Sequence, residues 1–187
     1  MQEFFQQTFD RINTRDLQPG EYEQCKFINC DFSNASFAGM KFVDSEFNNC
    51  GLSLINLDGC ILNDVSFVQC KMLGLRFDHC NQFTLSFKFD NCVLNDSSFF
   101  KCKLRKTRFK SSQLHHIDLA QCDLTESSFD NCDLKDALFE NTILQKADLR
   151  SAINYSINPE TNQIKKAKFS SQGLRGLLHK YDIIVES

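Results

Sequence analysis

Ten cysteines and four histidines are the side chains of this 187-residue chain best equipped to ligate a metal or attack an electrophile. Either chemistry needs such groups at short, definite spacing: Cys-x-x-Cys pairs for zinc ribbons or thioredoxin-like redox sites, or a nucleophile within reach of its base. That spacing is missing. The closest two cysteines are Cys25 and Cys30, and no Cys-x-x-Cys occurs. Nor is there a glycine-rich phosphate loop or a nucleophile elbow. What the cysteines share is arithmetic: within residues 25–80, and again within 92–132, they are separated by multiples of five.

The same period runs through the whole chain. Every fifth residue from Leu17 to Phe87, and again from Leu94 to Leu149, makes 27 positions, of which 26 hold a large apolar side chain and one holds Gln82. Chance does not produce this pattern. Two residues before most of these centres the side chain is small or medium, and all ten cysteines belong to that class, as do Ala35, Ser45, Val65 and Thr107. Free cysteine behaves as a small buried hydrophobe, so these thiols line an interior. The remaining positions are mostly Asp, Asn, Ser, Lys and Gln and face water. His79, His115 and His116 fall at outward positions, away from the thiols, so no catalytic, metal or cofactor residues are expected. A period of five is neither the 3.6 of a helix nor the 2.0 of a simple strand; the chain must turn a corner every five residues.

Units such as Cys30-Asp31-Phe32-Ser33-Asn34, Ala35-Ser36-Phe37-Ala38-Gly39 and Cys132-Asp133-Leu134-Lys135-Asp136 resemble the pentapeptide-repeat family over about residues 17–150. The resemblance implies an all-β, right-handed quadrilateral β-helix with four units per coil and residue n stacked beneath residue n+20. Three segments follow. Residues 1–16 carry Phe5, Phe9 and Ile12 at helical spacing and are expected to form a helical cap. Residues 17–150 form the β-helix, with a register slip near 87–94. Residues 151–187 form a C-terminal cap and dimerisation segment, in which Ser170 or Ser171 caps a short helix bearing Leu174, Leu177, Leu178 and Tyr181. Gly173 and Gly176 weaken that helix in isolation. Ile183, Ile184 and Val185 then form a terminal strand. In the Qnr-type quinolone-resistance branch a similar segment pairs two chains, so the resemblance implies a homodimer with Leu174, Leu177, Leu178, Tyr181, Ile183 and Val185 at its interface.

Twenty-residue stacking also reinterprets the charges. The run Lys101, Lys103, Arg105, Lys106, Arg108, Lys110 reads linearly as a nucleic-acid patch. Stacked, it becomes cross-coil ion pairs: Lys103 on Asp123, Lys106 on Glu126 and then Lys146, Lys110 on Asp130 and then Arg150. Glu21 with Lys41 and Lys26 with Glu46 repeat the device. Carboxylates that stack on one another do not fit it. Asp44 over Asp64, and Asp58 over Asp78 continuing to Asp118 and Glu140, mark an anionic stripe able to face a partner.

A bore filled with large side chains leaves no substrate cavity, so an enzyme is not expected. The net charge of −3 excludes a globally basic nucleic-acid binder. Residues 1–7 lack the basic and apolar stretches of a secretory signal, and no run of 18 apolar residues occurs, so a cytoplasmic protein with no membrane contact and no direct nucleic-acid contact is expected. Further similarity to the Qnr-type branch lies in Phe27-Ile28-Asn29-Cys30-Asp31-Phe32-Ser33 and His79-Cys80. That similarity implies a DNA-mimicking modulator of DNA gyrase or topoisomerase IV. The alternative is a scaffolding β-helix with another protein partner.

Overall fold

The computed structural model describes residues 2–184 and is a right-handed quadrilateral β-helix. Short strands are what the five-residue unit permits: its centre and the residue two before it point inward, the residues flanking the centre point outward, and the fifth turns the corner. On the first face lie β1 (Gln2–Phe5), β3 (Gly20–Glu23), β5 (Lys41–Val43) and β7 (Ile61–Asn63). On the second lie β2 (Thr8–Asp10), β4 (Lys26–Ile28), β6 (Glu46–Asn48), β8 (Val65–Val68), β9 (Phe87–Asp90), β10 (Arg108–Lys110) and β11 (Ser128–Asp130), in a seven-stranded parallel sheet. The third and fourth faces are ladders of single bridges, such as Asp31↔Gly51↔Lys71 and Ser98↔Asp118↔Leu138. Register pairs such as Glu21↔Lys41 and Phe27↔Phe47 confirm one coil per twenty residues.

The corners explain a bias that the period alone does not. Asn29, Asn34, Asp44, Asn49, Asp64, Asp96, Asn131 and Asp136 all have φ between 47° and 63°, as do many other residues at the same place in the unit. Asparagine and aspartate tolerate this left-handed conformation better than other non-glycine residues. Gly39, Gly59 and Gly74 occupy corners for the same reason.

Inside, aromatic rings form columns one coil apart. Phe47, Phe67, Phe89, Phe109 and Phe129 stack with centroids 4.9–5.4 Å apart and planes within 16° of parallel. All ten cysteines are buried thiols. Cys50 donates to the carbonyls of Phe27 and Asn48 at 3.4 and 3.3 Å, and Cys70 to those of Phe47 and Val68 at the same distances. Ser45 and Ser97 place hydroxyls in the same role. The small residue of each unit therefore satisfies carbonyls at the corner while leaving the bore to the rings. An interior void lined by Phe37, Leu57, Met72 and Phe77 measures about 10 Å³, room for one water at most.

Three features depart from the sequence-based expectation. Residues 2–10 are not a helical cap: they form β1 and β2, the first coil, with Phe4 stacked on Tyr22 at 4.5 Å and Phe9 on Phe27 at 5.0 Å. Three apolar side chains at near-helical spacing cannot distinguish a helix from a coil with corners, and here the aromatic columns decide it. The register slip lies just ahead of 87–94. The pairing Phe67↔Phe89 shows an offset of 22, and the two extra residues are taken up at 81–86, leaving β9 regular. Phe89 is therefore the centre, and Phe87, also buried, fills the place two before it that most units give to a smaller residue.

At the other end the helical turn is short, α1 (Arg175–Leu178) between two 3-10 turns, Gln172–Leu174 and His179–Tyr181. Ile183 and Ile184 follow as irregular chain, and Val185 lies outside the described residues. The two glycines that weaken this helix are what lets it dock. A methyl added to Gly176 would fall 2.6 Å from Tyr155 Cδ2, and one added to Gly173 would collide with the Tyr155 hydroxyl. Ile157 N–H donates to the Gly176 carbonyl at 2.9 Å, and Leu177 packs on the core. Gly176→Ala is expected to displace the cap at a cost of about 1–3 kcal/mol, read as a lower Tm and faster proteolysis confined to 170–184; an unchanged cleavage pattern would show that the notch is not needed.

Candidate functional site

With the bore filled, chemistry is confined to the outer walls. Among the described residues no group of three or more His, Cys, Asp or Glu side chains is placed to hold a metal ion. The thiols that could act as ligands or nucleophiles are buried, and burial pushes Cys60, Cys102 and Cys132 up to about 12. The walls carry charge, hydroxyls and amides, and an array of these can bind a macromolecule.

The stacked ion pairs form in part. Lys41 Nζ lies 3.2 Å from Glu21, and Glu126 sits between Lys106 at 3.8 Å and Lys146 at 2.7 Å. Lys110 bonds backward to Asp90 at 2.9 Å, not forward to Asp130. Asp123 is register partner to Lys103 but takes its ion pair from Arg105 at 2.6 Å, and Arg150 turns to Asp148 within its own unit at 2.7 Å. Lys26 and Glu46 are in register without a bridge between them. A long cation on one wall can reach either the coil beside it or the flanking position of its own unit, and the strand spacing of about 4.8 Å makes the two equivalent.

The carboxylates of the expected stripe are distributed over two places. Asp44 and Asp64 occupy successive corners between the first and second faces, where Asp64 accepts a hydrogen bond from the Ser86 hydroxyl at 2.7 Å. Asp58, Asp78, Asp118 and Glu140 share the fourth face. Two of these four have partners that stacking did not reveal. Arg76 grips Asp78 with bonds of 3.0 and 2.7 Å, leaving its side chain 10% exposed, and His79 Nδ1 lies 2.7 Å from Asp58. Burial acts to raise the Asp78 carboxyl, but the Arg76 guanidinium outweighs it and holds the group below the usual carboxylate range. The signal was within reach: in Arg76-Phe77-Asp78 the two charges flank one buried centre and so must share a wall. Asp118 and Glu140 have no ion-pair partner among the described residues, and Phe100, with Lys101 over its ring at 4.8 Å, lies on the same face.

The residues expected at a dimer interface cluster at the C-terminal end. Leu174 and Tyr181 are about half exposed, Ile183 slightly more so, and Ile184 is 90% exposed; Leu178 is half-buried and Leu177 turns inward. Tyr181 donates to Glu160 at 2.9 Å and Lys180 pairs with the same carboxylate, fixing the segment against the last coil.

These features define a parallel β-solenoid that is solid inside and presents four ribbed walls. Two family models match it, one described as pentapeptide repeat region over residues 82–149 and one as pentapeptide repeats over residues 23–59, between them more than half of the chain. The chain belongs to the pentapeptide-repeat family. No curated protein matches it. Among solved structures, a trypsin-treated form of QnrB1, a plasmid-mediated fluoroquinolone resistance protein, aligns over 98% of this chain and 97% of its own at 18% identity and a TM-score of 0.50. HetL, a pentapeptide-repeat protein involved in heterocyst differentiation regulation in the cyanobacterium Nostoc, aligns over 89% and 84% at 15% identity and a TM-score of 0.47. No helix among the described residues is long and apolar enough to cross a membrane.

Proposed function

We propose that the chain is a non-enzymatic, cytoplasmic interaction protein that modulates or protects a type II topoisomerase, DNA gyrase or topoisomerase IV, by occupying part of its DNA-binding surface. The observation that carries this reading is the fourth face, where Asp58, Asp118 and Glu140 stand on the wall of a rod with no internal site. Likeness to a fluoroquinolone resistance protein over nearly the full length supports it. Duplex DNA carries a charge per about 1.7 Å of axis. This wall is far sparser, so it imitates a short stretch of backbone.

The apolar cluster of Leu174, Leu178, Tyr181 and Ile183 supports a homodimer joined at the C-terminal ends, which doubles the length of the acidic wall. In this reading the wild type sediments at twice 21.6 kDa and Gly176→Ala falls toward the monomer; a wild-type monomer at tens of micromolar would remove the dimer. The functional test is gyrase supercoiling with and without ciprofloxacin. The wild type is expected to inhibit supercoiling or relieve poisoning, and Asp118→Lys with Glu140→Lys to do so about tenfold less well. A wild type without effect on either would remove the topoisomerase reading.

A further inference from the structure

On the side of the rod opposite the acidic wall, the second face departs from the alternation of sign in a way the acidic stacks do not, because its like charges are cations. Where charges meet on neighbouring coils they usually alternate in sign, as in Glu21 with Lys41, Lys110 with Asp90, and Glu126 between Lys106 and Lys146. Lys88 of β9 and Arg108 of β10 instead sit directly opposite one another in the ladder, with Ser66 and Ser128 on either side and, among the described residues, no carboxylate bonded to either cation. Like charges placed this way weaken a sheet. Lys103, on the adjoining first face, also lacks an ion-pair partner among the described residues, although its register neighbour is Asp123.

The 81–86 excursion lies on that first face, one coil below Lys103, and leads into the strand that carries Lys88. At its tip Phe83 is 97% exposed, far more than any other phenylalanine among the described residues. The loop that presents it is held in place. Gln82 donates to the carbonyls of Phe77 and Cys80 at 3.0 Å each, and Phe83 N–H donates to Asn81 Oδ1 at 3.0 Å. A phenyl ring held out in water gains nothing inside the fold, and it stands on the coil next to cations that lack ion-pair partners among the described residues. Rigid aromatics and arginines are the residues that anchor protein interfaces.

We infer that Phe83, Lys88, Lys103 and Arg108 form a second docking surface, for an acidic protein surface that offers an apolar pocket to Phe83. The cations are interleaved with Asp90, Asp123 and Asp130 on the same two faces, a mixed pattern that suits a patterned protein surface better than the uniform charge of a nucleic-acid backbone. As to who the partner is, the inference rests on the topoisomerase reading: the rod engages the enzyme from two sides, its acidic wall toward the DNA site and this ridge toward an acidic region next to it.

Arg108→Glu separates fold from function, because a glutamate there meets Lys88 with opposite sign. Its Tm is expected to stay unchanged or rise, while the concentration giving half-maximal effect on gyrase rises about tenfold, with a weaker salt dependence. Phe83→Ala is expected to show the same loss with an unchanged Tm. If the wild type acts on gyrase and both variants match it, the ridge is overturned and the topoisomerase reading stands. If the wild type does not act, that reading has failed; the ridge then stands or falls on whether either variant loses binding to an immobilised Glu- and Phe-rich peptide that the wild type retains. A labelled 30-mer DNA, single- or double-stranded, that binds the wild type but not Arg108→Glu would assign the ridge to nucleic acid and overturn the proposal.

Discussion

Replacing Phe109 by alanine is expected to lower stability by about 3–5 kcal/mol, the upper range for a single core substitution. Its ring is fully buried between Phe89 at 5.3 Å and Phe129 at 4.9 Å, with Phe99 edge-on at 6.1 Å. Neighbouring rings belong to neighbouring coils, and all are clamped by inter-coil hydrogen bonds such as Asn91 N to the Lys110 carbonyl at 2.9 Å, so they cannot collapse into the space. A solenoid is held together coil by coil. The loss at Phe109 therefore also weakens the coupling between the halves, and denaturant unfolding followed separately by probes at each end should split into two transitions. One coincident transition with a loss under 1 kcal/mol would mean that the column is not continuous.

The second large effect concerns the thiols. In the native protein none of the ten is expected to react with a disulfide reagent at pH 8, whereas all ten react in denaturant, the rate rising at least about a thousandfold because modification needs unfolding. Burial raises Cys30 to about 11 and Cys60, Cys102 and Cys132 to about 12, against 9.0 for an exposed thiol. Cys80 and Cys122 are raised by the same cause. A native pKa above the unfolded one stabilises the fold fully below pH 9, and that stabilisation is lost as the pH climbs toward the native values. Tm should accordingly be flat between pH 7 and 8.5 and fall steadily above 9. A fast-reacting native thiol, or a Tm indifferent to alkali up to pH 11, would contradict the inward placement.

The fold was legible because one period carries it. The centres from Tyr22 to Leu149 and the small residues before them are fixed by a two-valued alternation of large and small that only a cornered coil can bury. Fidelity failed where that alternation ran out. Phe4 and Phe9 have no small partners two residues earlier, so the first coil looked like a helix. Phe87 and Phe89 are both large, and either could have been the centre; the strand ladder chose Phe89. The acidic wall was half legible. Asp58, Asp78, Asp118 and Glu140 share one face, but treating charges only as coil-to-coil neighbours concealed Arg76 beside Asp78. Gly173 and Gly176 looked like helix weakeners because their value lies in Tyr155, which is remote in the repeat and visible only once the cap is docked.

The most direct test of the account is competition for gyrase between this protein and duplex DNA, read as the anisotropy of a fluorescent gyrase-site fragment. A rod that recognises the enzyme through its walls should displace the fragment in proportion to its concentration, with Asp118→Lys and Glu140→Lys together shifting the curve about tenfold. Anisotropy unmoved by a large excess of the wild type, or displacement by that double variant equal to wild type, would contradict it.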